Sequence, residues 1–120
     1  MLNIEEMDLH RAGIEHLFWK RIIRNYLDDK ENRELIETVS HKSCRLGHWL
    51  YSSGIEKYGK ITELRELETT HVELHNIANR VIRSKKDGNV VQADNEYENL
   101  DKIIKVIVAK LTALAVKLSS

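Results

Sequence analysis

Proline is absent from this 120-residue chain, glycine occurs five times, and there is one cysteine. Proline breaks helices and glycine weakens them, so their scarcity is compatible with long, uninterrupted helices. One cysteine excludes an internal disulfide and is typical of a reducing compartment. Apolar residues recur at helical spacing over most of the chain, which predicts an all-α fold.

The chain also has neither a net charge nor a long apolar run. Its 19 basic residues balance its 19 acidic ones. They stand in short mixed clusters, which disfavours nucleic-acid binding because that binding depends on many neutralised phosphates. No stretch approaches the ~18–20 apolar residues that span a bilayer, and the N-terminus has no signal-peptide pattern. We therefore expect one cytoplasmic, soluble domain over residues 1–120, with no membrane insertion.

The apolar spacing predicts four helices. They cover about residues 3–28, 43–51, 60–86 and 91–118, the second being a short one. Gly88 follows the third helix, at a position where glycine commonly terminates helices. The charged segment 27–39 indicates at most a weak helical turn. The last helix has more apolar surface than one core needs, so we expect part of it to contact a partner chain.

His71 and His75 carry the strongest chemical signal. They are four residues apart, so both imidazoles project from one face of the third helix and can bind one metal ion. Apolar residues on the same stripe place this face in the core. For the pair alone, two hydrogen-bonded core histidines are the more frequent explanation. Val72 stands where a metalloprotease has its general-base glutamate, so the pair is not that motif.

His16 and Cys44 lie on two other predicted helices. His16 is on the inward face of the first helix. Cys44 follows Ser43, a residue type that caps helix N-termini, so its thiol lies where the helix dipole favours the thiolate. Each residue alone is explained as structure, by a hydrogen-bonded histidine and an inert buried cysteine. Together with His71 and His75 they are ligand types that zinc favours.

Three segments together resemble the chemoreceptor zinc-binding (CZB) domain, a family attached to bacterial chemoreceptors and diguanylate cyclases. The segments are His16-Leu17-Phe18-Trp19, Cys44-Arg45-Leu46-Gly47-His48-Trp49-Leu50-Tyr51 and His71-x-x-x-His75, in the family's order. The Cys-x-Leu-Gly-x-Trp core is the specific part. The resemblance implies an elongated four-helix bundle with a short extra helix carrying the cysteine motif. It also implies a homodimer and a zinc ion held by His16, Cys44, His71 and His75.

The function implied by the resemblance is sensory or regulatory, in bacterial chemotaxis or cyclic-di-GMP control, with a signalling output domain in the same or another chain. Three imidazoles and one thiolate leave zinc no open position, so we expect no enzymatic activity. The input is either zinc availability or oxidation of Cys44, the candidate redox switch, because a zinc-bound sulfur oxidises more readily than an imidazole.

Two alternatives stay open at this point. A di-iron bundle would use Glu68-x-x-His71, but it needs a second such pair. A structural dimerisation module would hold zinc permanently, as a structural ion that stabilises the fold.

The remaining histidines and the tryptophans have simpler interpretations. We expect His10, His41 and His48 to be solvated, although His41 is near enough in sequence to Cys44 to replace it as a ligand. Trp19 and Trp49 are expected to anchor the core beside the metal. Carboxylates are expected to accept hydrogen bonds from the imidazole N–H groups, the candidates being Glu15, Glu68 and Glu73.

Overall fold

The computed structural model describes residues 4–30 and 45–119, and helices make up nearly all of them. Helix α1 covers Ile4–Leu27, α4 covers Thr62–Lys86 and α5 covers Val90–Ser119. Between α1 and α4, residues 45–58 form one short helical segment. It consists of α2 (Arg45–Trp49), a π-helical turn (Leu50–Gly54) and α3 (Ile55–Tyr58). No strand occurs in the described ranges, and the bundle measures 47 × 23 × 21 Å. The predicted all-α bundle is confirmed.

The three long helices begin and end within two residues of their predicted bounds. The short helix differs, because it continues to Tyr58 and does not end near residue 51. Ser52, Ser53 and Gly54 have low helix propensity, yet the chain stays helical there by widening into a π turn. In this turn the N–H of Ile55 donates to the carbonyl of Leu50, five residues earlier. Of the charged segment 27–39, for which a weak turn is predicted, residues 31–39 lie outside the described residues.

Gly54 is required by packing. A Cβ atom at this position would lie 2.9 Å from the ring of Trp49, closer than real Cβ contacts come. The indole of Trp49 in turn stacks on Tyr58, with ring centroids 6.3 Å apart. The glycine therefore marks a close approach within the short helical segment and not the end of a helix.

The turn between α4 and α5 has a glycine in the left-handed region, as the sequence predicts. Gly88 has a φ of 79°, which glycine adopts without the steric cost of a Cβ atom. Its N–H donates to the carbonyl of Lys85 at 3.0 Å, which ends α4. Asn89 then caps α5, because its Oδ1 accepts a hydrogen bond from the N–H of Gln92 at 3.1 Å.

Helix α5 packs along both α4 and α1. Its buried side chains meet those of the other helices in one continuous core, which includes Leu9, Ala12, Ile23, Leu46, Leu50, Leu64, Leu67, Leu74, Leu100, Ile104, Ile107 and Leu114. Ion pairs along the edges connect the antiparallel helices α4 and α5. They join Lys117 to Glu63, Lys110 to Glu66 and Arg80 to Glu96, at 3.1 to 3.2 Å. Among the described helices, none is long and apolar enough to cross a membrane.

Candidate metal centre

Three of the four predicted ligands meet in the interior of the bundle. His16 comes from α1, and His71 and His75 come from successive turns of α4. Their exposed fractions are 4%, 0% and 2%. One ring nitrogen from each residue lies within 4.8 Å of the other two. Three imidazole nitrogens that converge away from water can hold a metal ion.

His71 and His75 are arranged almost as two ligands of one ion. Their Nε2 atoms lie 3.0 Å apart, and the planes of their rings are nearly perpendicular, at 86°. Two nitrogens bound to a tetrahedral zinc ion at 2.0–2.1 Å would lie about 3.3 Å apart. A shift of a few tenths of an ångström therefore suffices for both atoms to bind one zinc ion.

His16 has a defined tautomer. Its Nδ1 lies 2.7 Å from the carbonyl oxygen of Ala12. A carbonyl only accepts hydrogen bonds, so Nδ1 carries the proton and Nε2 carries a lone pair. Nε2 is buried and has no hydrogen-bond partner among the residues that the structure describes. A donor to a main-chain carbonyl on one ring nitrogen and a free lone pair on the other is typical of a metal-binding histidine.

The hydrogen-bond acceptor of the His16 imidazole differs from the predicted one. We expected a carboxylate to accept the imidazole N–H, with Glu15 as a candidate beside His16. The acceptor is instead the main chain of the preceding helical turn, at Ala12. Every helix presents such carbonyls, so no side-chain type in the sequence signals the contact.

Burial keeps His16 in the form that binds metals. Desolvation lowers its pKa below the ordinary 6.5, and the hydrogen bond to Ala12 and the charge of Glu15 oppose this shift more weakly. The imidazole is therefore neutral at pH 7, which is the protonation state of a metal ligand.

Trp19 forms one wall of the site. Its indole lies over the imidazole of His75 with ring centroids 4.9 Å apart and a tilt of 32°. The ring of His16 approaches His71 and His75 edge-on, at 5.3 and 5.9 Å. Trp19 and Trp49 are both partly buried and pack against the core, as predicted.

The outcomes for the other predicted site residues differ from one residue to the next. Cys44 and His41 are outside the residues that the structure describes. His10 and His48 are exposed, as expected. Glu68, the carboxylate of the di-iron alternative, pairs with Arg65 at 3.4 Å. The cluster of potential ligands in the described ranges contains three histidines and no carboxylate, whereas a di-iron site needs several.

A family model of the chemoreceptor zinc-binding domain matches residues 16–82, more than half of the chain. The chain belongs to this family. The match begins at His16 and spans Cys44, His71 and His75, so the expected CZB resemblance is confirmed. Comparisons with curated proteins and with solved structures find no match. A CZB domain is a zinc-binding domain of signalling proteins, and the three clustered histidines of this one fit a zinc ion.

Proposed function

We propose that this CZB domain is a sensory module that holds one zinc ion through His16, Cys44, His71 and His75. The observation that carries the proposal is the lone pair of His16 Nε2, which is buried without a partner in the described residues, on a ring that has a nitrogen within 4.8 Å of ring nitrogens of His71 and His75. A polar atom in an apolar interior is costly unless it has a partner. A zinc ion would provide that partner.

The fourth ligand in this proposal is Cys44. It directly precedes α2, which contacts α1, and Leu46 and Leu50 of the same segment are buried in the core. The thiolate would complete a tetrahedron of three nitrogens and one sulfur, with no position left for water or substrate. The proposed role is therefore sensing and not catalysis.

Zinc would connect α1, α4 and the short helical segment. Structural zinc sites contribute on the order of 10–16 kcal/mol of apparent binding energy, so loss of the ion would loosen these elements relative to one another. The input would be the availability of zinc or the oxidation of Cys44, which weakens its bond to the metal. The output would be chemotaxis or cyclic-di-GMP signalling through a cytoplasmic output domain, in the same or another chain.

Homodimerisation is part of the proposal. Large apolar side chains are exposed on two helices, namely Ile14 and Phe18 on α1 and Val106 and Val116 on α5, with exposed fractions of 46% to 65%. Apolar surface of this kind is typical of contacts between chains. It supports the expected partner contact of the last helix.

Metal content tests the proposal directly. Protein purified without a histidine tag would be analysed by elemental mass spectrometry, beside His75→Ala and the control His48→Ala, which removes an exposed histidine. We expect one zinc per chain in the wild type and the control, and none in His75→Ala. Stoichiometric iron would favour the di-iron alternative. A protein that stays metal-free when zinc is added would refute the zinc sensor.

A further inference from the structure

Four aromatic rings contact one another at the proposed zinc site, those of His16, Trp19, His71 and His75, and Trp19 is the most exposed of them. His16, His71 and His75 are buried, whereas the indole of Trp19 is partly buried and lies against one face of the His75 ring. It therefore stands between water and the imidazole of His75. A zinc ion leaves a site when water or a chelator replaces a ligand, so a cover over one ligand slows the loss of the ion.

The orientation of the His75 ring also depends on its neighbours. The second side-chain torsion of histidine has broad minima, so rotamer preference alone does not fix the ring plane. Here a tilted indole packs against one face, and the rings of His16 and His71 make edge-on contacts. These contacts hold the Nε2 atom of His75 towards that of His71, at 3.0 Å.

Stacking favours the zinc-loaded state in particular. A bound zinc ion draws electrons from the imidazole and makes the ring more positive. The face of an indole is electron-rich and attracts positive charge. The contact between Trp19 and His75 is therefore stronger when zinc is bound than when it is absent.

We infer that Trp19 is a positioning residue that sets how long zinc stays bound, by holding the His75 imidazole in its ligating orientation and covering it from water. This inference rests on the proposed zinc function. It adds to that function a residue that binds no metal but controls the kinetics of the site.

The test measures zinc release from the full chain into an excess of a chromogenic chelator. The variants are Trp19→Leu, which removes the aromatic face, and Trp19→Phe, which retains a smaller one. Phe18→Leu is the matched control, because Phe18 is the neighbouring aromatic residue on α1, is 64% exposed, and is replaced by a side chain that keeps the proposed partner surface apolar. Removal of an outer partner of a metal ligand commonly costs 10–100-fold in affinity. We expect release from Trp19→Leu to be roughly tenfold faster than from the wild type, at the low end of that range. Trp19→Phe should be intermediate, and Phe18→Leu should match the wild type.

Two results separate this inference from the zinc function. A wild type that binds zinc, with Trp19→Leu and Trp19→Phe releasing it at the wild-type rate, would overturn the inference and leave the function intact. A wild type that binds no zinc would overturn both. If Trp19→Leu does not fold by circular dichroism, the comparison of Trp19→Phe with Phe18→Leu decides.

Fluorescence gives a second readout that a merely structural role would not affect. In Trp49→Phe the remaining tryptophan is Trp19. Its emission should change on titration with zinc, because its stacking partner becomes a metal ligand. Emission that is unchanged while zinc binds would contradict the contact that the inference requires.

Discussion

The Nε2 atoms of His71 and His75 lie 3.0 Å apart on successive turns of α4. One helix sets the spacing of both proposed ligands. We expect His71→Ala and His75→Ala each to lower zinc affinity by more than the 10–100-fold that loss of an outer partner costs. Calorimetric titration of each variant measures the effect. Two variants that bind zinc as tightly as the wild type would exclude the pair as ligands.

Cys44 is the proposed ligand that responds to oxidants. We expect Cys44→Ser to bind zinc more weakly than the wild type and to release no additional zinc when treated with hydrogen peroxide or hypochlorous acid, because the oxidisable sulfur is gone. A zinc-sensitive dye reports release in both proteins. Unchanged affinity together with unchanged oxidant response in the variant would show that Cys44 is not the switch.

Two glycine substitutions should have opposite effects on stability. A Cβ atom added at Gly54 would lie 2.9 Å from the ring of Trp49, whereas one added at Gly13 would lie 3.7 Å from Leu111, an ordinary contact. Overpacking costs about 1–3 kcal/mol, so Gly54→Ala should lower the free energy of unfolding by about that amount. Gly13→Ala should raise it by roughly 0.5–1 kcal/mol, the usual gain in a helix interior. Urea denaturation measures both, and equal effects would contradict the packing described at Gly54.

The ion pair between α1 and α5 should contribute stability that depends on pH. Lys20 Nζ lies 2.6 Å from Asp101 Oδ1, and this contact, assisted by Lys105, lowers the pKa of Asp101. A carboxyl that is harder to protonate when folded stabilises the fold above its unfolded pKa of about 3.9, and this contribution is lost as the pH falls through the lower folded pKa.

Asp101→Asn should therefore lower the free energy of unfolding at pH 7 by about 0.2–1 kcal/mol, the range for partly exposed pairs. The difference from the wild type should disappear in acid, below the folded pKa, where both side chains are uncharged. Loss of zinc in acid affects both proteins alike, so paired urea denaturations at pH 7 and in acid isolate the ion pair. A difference that persists in acid would point to a packing defect in the variant.

The spacing of apolar residues predicted the features that depend on a single helix, namely where it lies in the chain and which face is buried. The apolar spacing located the three long helices, and the interval between His71 and His75 placed both imidazoles on one buried face. The inward position of His16 followed from the same pattern on α1. These features depend on the geometry of one helix at a time, which the order of residues specifies.

Features that depend on the packing of two elements were not predictable in this way. The contact of Trp19 with His75 requires the relative rotation and register of α1 and α4. The acceptor of the His16 N–H is a main-chain atom, which is the same for every residue type. The π turn at Leu50–Gly54 occurs where Trp49 packs over Gly54, a side-chain contact that a count of apolar residues does not show.

The π turn has a consequence for how this segment tolerates changes in length. A π turn accommodates one more residue than an α turn and keeps the helix on either side in line. Deletion of the exposed Ser52 would convert it to an α turn, with Leu46 still directed into the core. The same deletion between His71 and His75 would rotate one imidazole by about 100° relative to the other. The short helical segment can therefore lose one residue and stay helical, whereas the interval between His71 and His75 cannot change without separating the two ligands.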